Sequence, residues 1–180
     1  DVSSIGALAI APSDQNVVWA GTGETFIRSN ISIGNGIYKS EDGGKTWQNM
    51  GLSKTGRIGR IVIDPRDPNI VFAAALGHSY GPQQERGIYK TTDGGKTWKQ
   101  VLFVDENTGA SDIAMDANNP RILIAGMWQV EMNTYLRNSG GPGSGLYKSK
   151  DGGDNWKKLS GKGLPESPLG KIAVGIAPSN

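Results

Sequence analysis

Three stretches of the chain, residues 24–35, 77–86 and 128–139, each bring together a glutamate, at least one arginine and at least one aromatic ring. The first holds Glu24, Phe26 and Arg28, the second His78, Tyr80, Glu85 and Arg86, and the third Trp128, Glu131, Tyr135 and Arg137. Such a composition suits recognition: an aromatic face stacks on sugar or peptide groups, and a guanidinium forks onto carboxylates or carbonyl oxygens. The plainer alternative is a set of solvated loop charges that pair with one another. Glycoside hydrolysis would need two carboxylates flanking one bond, and Glu24, Glu85 and Glu131 are candidates by location only. His78 is the sole histidine and cysteine is absent. Neither a Ser-His-Asp triad with spare parts nor a multi-histidine or thiolate metal site can therefore be assembled, and no metal or cofactor is implied. His78 is expected to act as a loop hydrogen-bonder.

What must position these loops is a repeat. Gly36-Ile37-Tyr38-Lys39-Ser40-Glu41-Asp42-Gly43-Gly44-Lys45-Thr46-Trp47 recurs with small changes from Gly87 to Trp98 and from Gly145 to Trp156. An apolar opening precedes each copy, at Ile5, at Ile58 and at Asp112, and begins a fourth time at Lys171. After each opening come a turn and a β-branched run, such as Ile70-Val71-Phe72-Ala73. Each period thus holds four short strands punctuated by Gly, Pro, Asp and Asn, the pattern of antiparallel sheet. Four strands per period of roughly 50 to 60 residues is the spacing of propeller blades, which bury their faces against neighbouring blades.

The expected fold is all-β: a β-propeller segment of four-stranded antiparallel blades at residues 5–50, 57–103 and 111–159, with the first strand of another at 170–180. The whole protein is expected to be longer, its remaining blades or a partner chain covering the flanks. With the strands of a blade lettered A to D, the A–B and C–D turns emerge on one side and the B–C loops on the other. The repeated C–D turns are read as structural. Their residues are Ser40, Asp42, Gly44 and Trp47; Thr91, Asp93, Gly95 and Trp98; and Ser149, Asp151, Gly153 and Trp156. The three tryptophans are expected in equivalent buried positions. The unequal B–C loops carry the recognition candidates.

The repeated turn resembles the Asp-box (BNR repeat), Ser/Thr-x-Asp-x-Gly-x-Thr-Trp, of neuraminidase-type, sortilin-type, xyloglucanase-type and photosystem-assembly propellers. Further residues, among them Arg57-Ile58-Gly59-Arg60-Ile61, Ala75-Leu76-Gly77-His78 and Gly140 to Gly145, resemble the sortilin N-terminal-type propellers of large bacterial secreted proteins, many of which are labelled glycosyl hydrolases. The resemblance implies a secreted or periplasmic location and fixes no activity. Sialidase chemistry in such propellers uses an arginine triad, and the chain shows no Arg-Ile-Pro signature for it.

The bulk composition narrows the partners. Net charge is +2 over 180 residues and the lysines are dispersed among the repeats, so the basic patch of a nucleic-acid binder is missing. No apolar run reaches the roughly 18 residues of a membrane span. Gly44-Lys45-Thr46 and Gly95-Lys96-Thr97 mimic the end of a phosphate-binding loop, yet Lys39 and Lys90 stand where that motif needs glycine. The sequence reading is therefore a non-catalytic recognition or scaffold module that binds peptide, protein or glycan through its B–C loops. A fragment of a glycoside hydrolase is the alternative.

Overall fold

The computed structural model describes residues 2–178 apart from residue 29. Ser29 of the first long loop and the last two residues of the fourth opening lie outside the described residues. The rest forms three antiparallel sheets in chain order, with one 3-10 turn at Ser53–Thr55 and no α-helix among the described residues. The first sheet is β1 (Ile5–Ala11), β2 (Asp14–Thr22), β3 (Ile37–Ser40) and β4 (Gln48–Asn49). The second is β5 (Ile58–Asp64), β6 (Asp67–Ala75), β7 (Gly87–Thr91) and β8 (Lys99–Leu102). The third is β9 (Thr108–Met115), β10 (Leu123–Met132), β12 (Gly145–Ser149) and β13 (Lys157–Lys158), with β11 (Arg137–Ser139) paired to the far end of β10.

Each sheet is an up-and-down meander, and the innermost strands β1, β5 and β9 pack side by side. This is an open propeller segment. Alternation along each strand sends one set of side chains to the preceding blade and the other to the following blade. Ile58, Ile61, Ile63, Val71, Ala73 and Tyr89 of the second blade thus meet Val17, Trp19 and Ile37 of the first. Phe72, Ala74, Ile88 and Leu102 meet Ala110, Ile113, Leu123, Ala125 and Tyr147 of the third. Two inter-blade layers, each dependent on both partners, thus form the greater part of the core, and a smaller third cluster lies under the loops.

The fourth opening runs beside β9, where Ser111 Oγ donates to the Ile172 carbonyl at 2.7 Å and the Val174 amide donates to Asp112 Oδ2 at 2.9 Å. It forms no ladder. In every blade the innermost strand pairs with its own second strand, and none follows here among the described residues.

The Asp-box turns are built alike. Ser40 Oγ donates to Asp42 Oδ1 at 2.8 Å and accepts the Gly44 amide at 2.8 Å, while Asp42 takes the Lys45 and Thr46 amides at 2.9 Å and the Thr46 hydroxyl at 2.6 Å. Thr91 and Asp93 repeat the pattern with Thr97, and Ser149 and Asp151 repeat it with Asn155. The second glycine of each turn has positive φ, at 91°, 93° and 86°. In Gly95 and Gly153 a Cβ would also fall 2.6 Å from the Trp19 or Phe72 ring of the preceding blade, so two independent constraints select glycine there.

The Asp42 and Asp93 carboxyls are held well below the usual carboxylate range, first by the Thr46 and Thr97 hydroxyls, and Asp151 is held there first by the Asn155 amide. A carboxyl whose pKa is depressed by folding stabilises the fold above its unfolded pKa of about 3.9 and ceases to do so as pH falls through its folded value. The thermal midpoint is expected to drop steadily as pH is lowered below about 4, and Asp93→Asn to make that slope shallower. Calorimetry across the acid range checks both.

The tryptophans do not share one environment. Trp98 lies edge-on to Trp19 at 6.0 Å and its Nε1 donates to the Met50 carbonyl at 2.8 Å, and Trp156 packs against the layer containing Phe72. Trp47 is 42% exposed. The expectation of three equivalent buried positions is thus corrected: Trp98 and Trp156 are half-buried against the preceding blade, and the first blade has none among the described residues.

Candidate functional site

The A–B and C–D turns meet on one side of each blade, where the Gly43, Gly94 and Gly152 amides donate to the carbonyls of Asn16, Asn69 and Arg121. The B–C loops gather on the other side. The second loop is fixed by two arginines that the sequence does not distinguish from surface charges. Arg57 donates from Nε to the Gly77 carbonyl at 2.7 Å and from Nη2 to that of His78 at 3.1 Å. Arg86 donates from Nη2 to the same His78 carbonyl at 3.1 Å and to that of Gly81 at 3.2 Å, and from Nη1 to Asn107 at 3.0 Å. Both side chains are buried, and Arg57 Nη1 and Arg86 Nε have no partner among the described residues. Burial, and then the positive charge of Arg86, pulls Arg57 down to about 10; burial likewise lowers Arg86. These cations clamp backbone carbonyls and are not free to fork onto a ligand.

His78 Nε2 donates to the Lys54 carbonyl at 3.1 Å, across the connection between the first two blades. Gln83 reaches the same carbonyl. In the first loop Arg28 Nε pairs with Glu24 Oε1 at 2.6 Å, while Glu24 Oε2 accepts the Ser32 amide at 3.3 Å. Arg28 is the first cause of a lowered Glu24 pKa. Glu24 therefore ties its own loop, as Glu131 does more loosely through Gln129 at 3.3 Å. Glu85 is half-buried beside Arg86. The three glutamates lie on three different blades and, among the described residues, share no hydrogen bond.

The third loop departs furthest from expectation. Strand β10 runs on through Trp128 to Met132 and turns back as β11, with Val130, Glu131 and Met132 opposite Ser139, Asn138 and Arg137. Trp128 is consequently buried with Leu76, Val130 and Met132, against Ile27 of the first loop. Its Nε1 donates to Ser139 Oγ at 3.1 Å. Trp128 and Arg86 are thus removed from the ligand-facing set, because both are enclosed by the loops they organise. Alternation of apolar and polar types in Trp128-Gln129-Val130-Glu131-Met132 carried this signal.

Lys171 has no counterpart among the sequence candidates. It stands one residue before Ile172, which packs under Gly126 as Ile58 packs under Gly21, and so occupies the place that Arg57 holds in the second blade. Its ammonium lies 4.9 Å from the Phe26 ring and 5.9 Å from the Trp128 ring and donates to the Thr25 carbonyl at 3.2 Å. Burial, the first cause, lowers its pKa. It pins the first loop to the third.

On this framework Tyr80, Tyr135 and Arg137 come together. They line a cleft of about 380 Å³ with Met132 and Leu136, between the second loop and the β10–β11 turn. Asn133 Oδ1 accepts the Tyr135 and Leu136 amides at 2.9 and 2.7 Å and holds the tip in shape. Tyr135 is 97% exposed. The cleft offers two phenol rings, an apolar floor and one guanidinium.

Residues 35–163, well over half of the chain, match the family model described as sortilin, neurotensin receptor 3. The chain belongs to the Sortilin-Vps10 family. This Sortilin-Vps10 chain is 27% identical to a sialidase of Bacteroides fragilis over 152 residues, 68% of the chain and 28% of that protein. It is 26% identical to a xyloglucanase of Hypocrea jecorina over 179 residues, 88% of the chain and 20% of that protein. It therefore spans less than a third of either relative. The crystal structure of an ancestral GH74 enzyme superposes with a TM-score of 0.65 at 21% identity, over 88% of the Sortilin-Vps10 chain and 18% of that one. YCF48 from Cyanidioschyzon merolae does so with 0.54 at 18% identity, over 88% and 37%. Both establish the propeller fold.

Proposed function

We propose that the chain is a non-catalytic recognition module that binds a peptide, protein or glycan segment through its B–C loop face. The observation that carries this reading is the cleft of Tyr80, Tyr135 and Arg137, drawn from two blades and held open by a rigid frame of buried arginines and Trp128. The phenol rings offer stacking faces, and Arg137 can meet a carboxylate or a carbonyl oxygen. Placement outside the cytoplasm, secreted or periplasmic, belongs to the same proposal and rests on the family relation.

Arrayed peptides and glycans supply the probe. Tyr135→Ala and Arg137→Ala are each expected to weaken binding of an array ligand by about 1–3 kcal/mol, with the thermal midpoint unchanged because both side chains stand clear of the core. Titration calorimetry beside a melting curve separates the two effects. Catalysis as part of a longer glycoside hydrolase is the second reading, favoured by the likeness to a sialidase and a xyloglucanase. Release of reducing sugar from xyloglucan by the longer polypeptide would support it.

A further inference from the structure

Beside the cleft the chain leaves a sheet edge open. β11 pairs on one side only, with β10. The Asn133 amide donates to the Leu136 carbonyl and the Gly140 amide to that of Gln129, both at 2.9 Å. Hydrogen-bonded and non-hydrogen-bonded pairs alternate along an antiparallel ladder, so the bonded pair between these two is Glu131 with Asn138. Val130 with Ser139 and Met132 with Arg137 are the non-bonded pairs. The main-chain N–H and C=O groups of Arg137 and Ser139 therefore point away from β10, and no other described residue bonds to them. All three residues of β11 are exposed. Gly141, two residues beyond Ser139, forms an antiparallel bridge with Leu169. The connection out of the third blade thus seats an extended segment at one end of this edge, then turns inward to Ile172 beneath Gly126. The positions at Ser139 and Arg137 stay open.

The side chains along the edge define the occupant. Residues opposite one another in a ladder point to the same face, so Arg137 and Ser139 share the face of Met132 and Val130. That face is turned to the second loop: Trp128 Nε1 donates to Ser139 Oγ on it, and Tyr80 lines the cleft with Met132 and Arg137. A strand added to β11 would send its alternate side chains onto the same face. The one opposite Arg137 would stand beside a guanidinium that has no carboxylate within ion-pair distance among the described residues. The next one towards the turn would meet the rings of Tyr80 and Tyr135, which are 59% and 97% exposed. A polypeptide has donors and acceptors spaced to meet alternate residues of an edge strand, and a glycan does not.

We propose that β11 takes up an extended peptide as an added strand, with an acidic residue opposite Arg137 and an aromatic or apolar residue two positions away in the cleft. This rests on the reading of the B–C loop face as a recognition surface and names peptide as its ligand. The probe is a set of capped synthetic peptides of seven residues, with Glu at the centre, Thr on either side of it, and Val, Leu or Tyr at the next positions outward. The Glu exchanges both main-chain bonds with Arg137, whereas the N–H groups of the two Thr face solvent. N-methylation of the Glu amide is expected to weaken binding by about tenfold or more, and N-methylation of either Thr to change it little. Arg137→Glu is expected to reject these peptides and to bind the same set with Lys in place of Glu. The proposal is overturned if no peptide of the set binds, if N-methylation costs alike at Glu and Thr, or if Arg137→Glu keeps the preference for Glu. An array glycan that protects residues 130–139 from hydrogen exchange, with the peptides inert, would overturn it and leave the recognition surface standing. A loop face that takes up neither would remove both.

Discussion

Trp19→Ala is expected to lower stability by about 3–5 kcal/mol, towards the lower end of that range. Its indole is fully buried between the first and second blades, edge-on to Trp98, with the Gly95 turn closed over it. Truncation empties the centre of the first inter-blade layer, and the backbone of Gly95 at positive φ cannot follow the ring inwards. Trp19 Nε1 has no hydrogen-bond partner among the described residues, so its removal also relieves a buried unsatisfied donor, which moderates the loss. Trp47→Ala, by contrast, removes a 42% exposed ring that no neighbouring blade covers among the described residues, together with its Nε1 bond to the Gly44 carbonyl at 3.1 Å, and is expected to cost about 1 kcal/mol. Chemical denaturation of the two variants checks the contrast, and near-equal losses would contradict the layered core.

Trp128→Ala is expected to cost a similar 3–5 kcal/mol, since it removes the largest member of the cluster with Leu76, Val130 and Met132 and breaks the Nε1 bond to Ser139 on β11. Binding will fall too, because the β10–β11 hairpin that presents Tyr135 and Arg137 loses its anchor. Trp128→Phe separates the roles: it keeps much of the buried volume and should recover most of the stability and the binding together. A Trp128→Ala protein with unchanged denaturation midpoint but lost binding would mean that the ring touches the ligand directly.

The blades were legible because an Asp-box is a local device. Ser40, Asp42, Gly44 and Thr46 satisfy one another within seven residues, and sequence spacing states such contacts outright. The fate of Trp47, Trp98 and Trp156 was not, because identical motifs acquire different burial from the blade that precedes them. The loops were harder still. An arginine reads as a ligand fork in a sequence whether it faces solvent, as Arg137 does, or is enclosed against the carbonyls of Gly77, His78 and Gly81, as Arg57 and Arg86 are. Only the chain path of a neighbouring loop decides, and that path is a long-range property. Tyr80, Tyr135 and Arg137 were named among eleven loop residues, but nothing in their spacing shows that these three share a cleft.

The assignment of recognition to the B–C loop face is tested most directly by hydrogen–deuterium exchange of the chain with and without the tightest ligand from a peptide and glycan array. Protection is expected across residues 77–86 and 130–139, with the Asp-box turns at 40–47, 91–98 and 149–156 unchanged. Protection confined to those turns, with the loops exchanging as in the free chain, would contradict it.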